Sequence, residues 1–283
     1  MSESWRYFAE CIDPVALTAG PFTVRWYAIC FILGFLVATA FLLRRARKAD
    51  SRFDTETVWD AAFSIFFGTL LGGRLGYALL YDPSLLSTPM SLFLPIDSGT
   101  GSYSGIHGMS FFGALIGSGI VFLVFVRIRK LGMLAFADFV VSGVPLALFL
   151  GRIGNFLNLE LVGRKTDVPW GIYLPDPSTG GTWELRHPSV LYEALLEGVV
   201  LFLFLAFLRK RKLPDGSVSA VFLIGYSVAR FIAEFFREPD PGTGLFFGWM
   251  TMGQALSLGM LSVAVSLVVI FVWRNRSESR TGV

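Results

Sequence analysis

Seven apolar stretches, each long enough to cross a bilayer, constrain this chain more than any other feature. A spanning helix needs about 20 mostly apolar residues. Such stretches run over roughly 26–43, 57–80, 109–126, 133–150, 189–208, 216–236 and 247–273 of the 283 residues. Only 16% of the chain is charged, against about a quarter in a soluble domain. The expected fold class is an all-α polytopic membrane protein, a single integral-membrane domain over 1–283.

The connections predict an orientation. Arg44, Arg45, Arg47, Lys48 and Arg52 follow the first stretch, and Arg127, Arg129 and Lys130 the third. Arg209, Lys210, Arg211 and Lys212 follow the fifth, and Arg274, Arg276 and Arg280 the seventh. Residues 81–108 and 238–246 hold no Lys or Arg. The bias of Lys and Arg toward cytoplasmic loops then predicts an outside N-terminus and a cytoplasmic C-terminus. Met1 to Pro14 lacks a basic n-region, so no cleavable signal peptide is expected there. The basic clusters are short and flank apolar runs, which argues against a nucleic-acid partner. Cys11 and Cys30 are the only cysteines, and no disulfide is expected between them.

The connection over about 152–188 is expected to form a small extracytoplasmic head. Within it, 170–174 and 182–186 read as two short strands joined by turn residues from Pro175 to Gly181. A disordered loop is the alternative. Gly68, Gly72 and Gly76 in the second span, with Gly113 and Gly117 in the third, have the four-residue spacing of close helix packing.

Charges inside the spans point to a site. Each costs about 2.5–3.5 kcal/mol at mid-bilayer on insertion scales, so it must pair or face water. Asp60 and Asp138 lie near inner helix ends and read as structural; Glu197 lies inside the fifth span. Arg74, Arg152, Arg230, Glu193 and Tyr27 come from five spans but fall at one depth, near the outer head groups. Arg152 opens a polar run, Gly151 to Gly163, that includes Asn155, Asn158 and Glu160. Arg230, Glu234 and Arg237 share one helix face. Two readings stand for them: an ion pair that lets the helix insert, or arginines in excess over carboxylates that await an anion such as a phosphate, which matches an arginine fork.

Other chemistries lack their residues. His107 and His187 are the only histidines, with no metal-ligand spacing around them. There is no P-loop and no nucleophile elbow. No metal or cofactor is expected.

The stretch Gly151 to Gly163 closely resembles the signature of prolipoprotein diacylglyceryl transferases, and the resemblance extends over most of the chain. Arg25-Trp26-Tyr27 is similar to that family's first-helix motif, Gly72-Gly73-Arg74-Leu75-Gly76-Tyr77 to its second and Gly108 to Gly117 to its third. His187 to Glu193 and Arg230 to Asp240 complete the set. The resemblance implies a bacterial inner-membrane enzyme without a cofactor, acting in the first step of lipoprotein maturation. It would move the diacylglyceryl group of phosphatidylglycerol onto the lipobox cysteine thiol of a prolipoprotein and release glycerol phosphate. Its partners would be phosphatidylglycerol, prolipoprotein signal peptides with a lipobox cysteine, and membrane lipids.

Carried over residue by residue, Arg152 is the phosphatidylglycerol ligand and Arg230 its partner at the phosphate. Asn155 and Glu160 would orient Arg152 and the glycerol hydroxyls, and Glu234 would fix Arg230. Tyr27 and Tyr226 would donate to the same oxygens, with Arg237 and Arg74 at the substrate. Two positions depart from the family pattern. Phe112 stands where a histidine usually follows Ser-Phe, and Leu159 where a glycine is common. Phenylalanine cannot take a proton. Either His107 serves as base from a shifted position, or the reaction needs no base there, or the chain is a paralogue with altered activity. The competing class is a phospholipid-binding or lipid-translocating protein without chemistry.

Overall fold

The computed structural model describes residues 3–20, 22–87, 108–176, 181–211, 213–239 and 248–281. His107 lies outside the described residues. The chain divides into two units, each taken here by itself: Met1–Pro14, Arg25–Ala38 and Ala137–Val283 form one, Val15–Val24 and Thr39–Phe136 the other.

Six described helices are long and apolar enough to cross a membrane, and seven spans result if one bent pair counts as a single crossing. They include α2 (Trp26–Ala46), α3 (Thr55–Leu80) and α4 (Phe111–Ile128), preceded in chain order by α1 (Glu3–Arg6), β1 (Val15–Ala19) and β2 (Phe22–Arg25). The strands β1 and β2 pair with each other. The sequence reading placed no strand there, because each is too short to show a clear alternation.

In the second unit, α3 starts where Asp54 accepts a hydrogen bond from the Thr57 N–H at 2.7 Å. That bond at the exposed helix end holds the Asp54 carboxyl below its usual range. Ser110 caps α4 in the same way, accepting from the Gly113 N–H at 3.2 Å. The two helices pack through glycines, as their spacing predicts. A Cβ on Gly72 would lie 2.8 Å from the Gly117 Cα, and a Cβ on Gly117 would lie 2.8 Å from the Gly72 Cα. Without side chains between them the backbones meet directly, which recovers dispersion energy where lipid supplies no hydrophobic drive. Asp60 pairs with Arg129 from the end of α4, consistent with a structural role.

The predicted fourth span, which belongs to the first unit from Ala137 onward, is two helices, α5 (Met133–Val141) and α6 (Val144–Leu157), bent by 40°. Pro145 in the first turn of α6 cannot donate a backbone hydrogen bond, which favours the break. The helix then runs to Leu157 instead of ending near residue 150, so Arg152 and Asn155 sit on a helix, not in the head. It ends with Leu159 and Leu161 both at φ 56°, the left-handed region that disfavours branched side chains. Glycine would adopt this conformation at position 159 without strain.

The head contains the predicted hairpin: β3 (Ile172–Pro175) pairs antiparallel with β4 (Trp183–Arg186), Ile172 opposite Arg186. Its core joins Ala9, Phe156, Val162, Ile172, Leu174 and Val190. The N-terminal segment docks on it. Trp5 donates to the Trp170 carbonyl at 3.1 Å, and Tyr7 stacks on Tyr173 at 4.8 Å. Composition gave no hint of this docking.

The fifth span is α7 (Ser189–Glu193), a π-helical turn (Ala194–Val200) and α8 (Leu201–Leu208). The sixth is α9 (Ser217–Ala233), closed by a 3-10 turn at Glu234–Phe236. Asp138 caps α9, accepting from the backbone N–H groups of Gly216 at 2.8 Å and Ser219 at 2.7 Å. The last helix, α10, starts at Met252 instead of 247 and packs along α9.

Candidate functional site: a buried arginine–carboxylate cluster

Three helical segments of the first unit bring six charged side chains together. Arg152 comes from α6, Glu193 from the end of α7, Glu197 from the π-helical turn, and Arg230, Glu234 and Arg237 from α9 and the turn beyond it. Glu193 is the hub. Its Oε2 meets the Arg152 Nη1 at 2.9 Å, and its Oε1 pairs with the Arg230 Nη1 and lies 3.8 Å from the Arg237 Nη1. Arg230 also pairs with Glu234 at 2.8 Å, the i,i+4 partner the sequence assigned to it. The Thr251 hydroxyl donates to the other Glu234 oxygen at 3.0 Å.

Glu197 turns Arg152 further. One of its oxygens, Oε2, accepts both the Nε–H at 3.2 Å and an Nη2–H at 3.1 Å. Both Glu193 and Glu197 are fully buried, at 0% exposure. A lone buried carboxylate or guanidinium would cost several kcal/mol, and pairing offsets most of that. Placing two carboxylates four residues apart in one helix puts both on the face toward Arg152.

This arrangement corrects one expectation. The arginines are not in excess: Arg152, Arg230 and Arg237 meet Glu193, Glu197 and Glu234. The sequence reading matched Arg230 with Glu234 but left Glu197 without a role. Its i,i+4 spacing from Glu193 was the signal to use.

The remaining candidates fall in three groups. Tyr226, on α9, lies within electrostatic reach of Arg152, Arg230, Glu193 and Glu197. Tyr27 opens α2 against α6, where a Cβ on Gly154 would sit 3.2 Å from the Tyr27 Cα, and it is within electrostatic reach of Arg152 and Glu160. Glu160, expected to orient Arg152, is instead held by two amides. Asn158 donates to it at 2.6 Å and Asn155 at 3.3 Å. Arg152 takes its carboxylates from the fifth span because they are already buried on the facing helix. Arg74 and Phe112 belong to the other unit. Arg74 donates to the Gly108 carbonyl at 2.9 Å, and Phe112 is exposed beside Phe111.

The end of the signature is locked to the segment that follows the C-terminal end of α9. The Arg164 N–H donates to the Phe236 carbonyl at 2.9 Å, and the Glu238 N–H to the Val162 carbonyl at 3.1 Å. A Cβ on Gly163 would come within 2.9 Å of the His187 carbonyl carbon, so glycine is required at that crossing. Arg186, 2% exposed, fastens the same crossing. It donates to the Gly163 carbonyl at 3.0 Å and pairs with Glu184 at 2.8 Å, Glu238 at 3.2 Å and Asp176 at 3.3 Å. Beside it, His187 Nδ1 lies 3.2 Å from the Tyr192 hydroxyl, and burial lowers the imidazole below its usual range. A backbone ladder and a buried arginine thus fix the spacing between Arg152 and Arg237 at either end.

Comparison with known proteins follows this geometry. Residues 14–270 match the family model described as prolipoprotein diacylglyceryl transferase. The chain is 44% identical to the phosphatidylglycerol–prolipoprotein diacylglyceryl transferase of Pseudoalteromonas translucida, over 91% of this chain and 92% of that protein. It is 43% identical to the protein of that name from Pasteurella multocida, over 95% of each. It is also 43% identical to the one from Photobacterium profundum, over 99% of this chain and 100% of the relative. Matches of this extent, in which all the charged residues of the cluster fall within the matched segment, show that the chain belongs to the prolipoprotein diacylglyceryl transferase family.

Proposed function

We propose that this multi-pass membrane protein transfers the diacylglyceryl group of phosphatidylglycerol to the thiol of a lipobox cysteine in a prolipoprotein, in the bacterial inner membrane. The observation that carries the reading is family membership over nearly the whole chain. The buried cluster formed by the signature residue Arg152 with Arg230 suits that chemistry.

The thiolate sulfur attacks the glycerol carbon that bears the phosphate. A carbon–sulfur bond forms, the carbon–oxygen bond breaks, and its electron pair leaves on the phosphate of glycerol phosphate. Fixed guanidinium groups stabilise that developing charge without having to reorganise, a contribution of about 3–4 kcal/mol per donor in comparable anion sites. Arg152 and Arg230 hold the phosphate, and Glu234 and Glu193 hold the arginines in place. Asn155, Asn158 and Glu160 form the polar rim that takes the glycerol hydroxyls. Tyr27, Tyr226 and Arg237 complete the substrate contacts.

A free cysteine thiol has a pKa near about 8.5, so only a few per cent is thiolate at neutral pH. The arginine field supplies the stabilisation that raises this fraction, and the proton leaves to water. No imidazole is available at Phe112, so the transfer proceeds without a histidine at that position.

The test is mass spectrometry of a synthetic lipobox peptide incubated with the purified protein and phosphatidylglycerol. Gain of one diacylglyceryl unit on the cysteine, absent from a cysteine-to-serine peptide, is the expected result. Lipid binding without any mass gain would instead identify a non-catalytic lipid-binding protein.

A further inference from the structure

The charge balance of the cluster poses a question that the arginines alone do not answer. Among the described residues, three guanidiniums, one buried and two largely enclosed, already face three buried carboxylates. A phosphodiester brings one more negative charge into a low-dielectric site, where an uncompensated charge is costly. Arg152 also has no idle edge. Its Nη1 is on Glu193, and its Nε and Nη2 are both on Glu197. Phosphate binding therefore requires a carboxylate to give way.

The contacts distinguish the three candidates. Glu193 joins Arg152 to Arg230 and stands 3.8 Å from Arg237, so neutralising it would loosen the whole cluster. Glu234 is held by Arg230 and by the Thr251 hydroxyl. Glu197 makes its ion pair with Arg152 alone, through one oxygen. Its second oxygen, Oε1, is buried and, unlike the oxygens of Glu193 and Glu234, has neither a hydrogen-bond nor an ion-pair partner among the described residues. The π-helical turn that carries it is a form of helix frequent at functional sites. Moreover, Arg152 presents its Nε–Nη2 edge to a single Glu197 oxygen, whereas two phosphate oxygens would satisfy both N–H groups separately.

We infer that Glu197 is an exchangeable counter-ion: when a phosphodiester monoanion reaches Arg152, the Oε1 of Glu197 takes up one proton and its Oε2 releases the Nε–Nη2 edge to the phosphate. The proton comes from water or the buffer acid, an O–H bond forms on the carboxyl, and the net charge of the cluster stays at zero. Glu193 keeps Arg152 Nη1 and so holds the guanidinium in place during the exchange. The groups that face Glu197 are Arg152 from α6, Glu193 from its own helix, and Arg230 and Tyr226 from α9; Glu234 and Arg237 lie one contact further on. Glu197 is a positioning residue in this scheme, and the scheme rests on the proposed phosphatidylglycerol site.

The experiment is calorimetric titration of the full-length protein in detergent with short-chain phosphatidylglycerol, in buffers of different ionisation enthalpy, at several pH values. The wild type takes up close to one proton per lipid bound near neutral pH, and its affinity falls toward tenfold per pH unit as pH rises. Glu197→Gln, similar in shape, binds with no proton uptake and a flat pH profile. Wild-type binding without proton uptake overturns the proposal while leaving the phosphate site intact, and so does a Glu197→Gln protein that still takes up the proton. Absence of any phosphatidylglycerol binding by the wild type overturns the site itself.

Discussion

Replacing Glu193 tests how the buried cluster is held. Its carboxylate is fully enclosed and pairs with Arg152 at 2.9 Å and with Arg230, while Arg237 stands 3.8 Å away. In Glu193→Gln, Arg152 keeps Glu197 and Arg230 keeps Glu234, but both lose their pairing with the buried Glu193 carboxylate. Breaking a buried pair from one side costs about 3–5 kcal/mol. Because Glu193 serves two arginines, the loss should lie in the upper half of that range. Removing Arg230 as well restores the charge balance, so Glu193→Gln with Arg230→Gln should regain at least half of the loss, a strong coupling in a double-mutant cycle. Thermal unfolding in detergent measures both variants. Cys30 is buried and Cys11 exposed, so in a Cys11→Ser background a thiol-reactive dye reports the opening of the core around Cys30. A Glu193→Gln loss below about 1 kcal/mol, or purely additive losses in the double variant, would refute the account of the cluster.

Other perturbations follow from individual contacts. Gly163→Ala should abolish most transfer, because its methyl would collide with the His187 carbonyl and break the backbone contacts of Val162 and Arg164 with the segment that carries Arg237; normal turnover would contradict this. Leu159→Gly should raise thermal stability by about 1 kcal/mol by relieving a left-handed backbone, and a drop would show that its side-chain packing matters more. Phe112→His should leave the transfer rate within about threefold if the arginine field suffices to activate the thiol; a gain of a hundredfold would show that this chain lacks a base its relatives use.

Most of the architecture was legible because lipid imposes so strict a rule. Spans of about 20 apolar residues and glycine spacing report directly on insertion and packing. The bend at Ser142 and Gly143 escaped, although Pro145 just beyond it was the signal to use. So did the docking of Trp5 and Tyr7 on the hairpin, a long-range contact that no local pattern encodes. At the site, Arg152, Arg230, Glu193 and Glu234 stood out as charges that must be paired, but Glu197 was left without a role. Its i,i+4 spacing from Glu193 marked it, and the packing of α6 against the π-helical turn brings both carboxylates to Arg152.

Single-turnover transfer by Arg152→Lys and Arg230→Lys, followed by mass spectrometry of the lipobox peptide, addresses the phosphate clamp most directly. Lysine keeps the charge and removes the planar fork, so each variant should lose about 100-fold or more in rate, in line with the loss of one donor at a developing anion. Wild-type rates in both would show that the guanidinium pair does not hold the lipid phosphate.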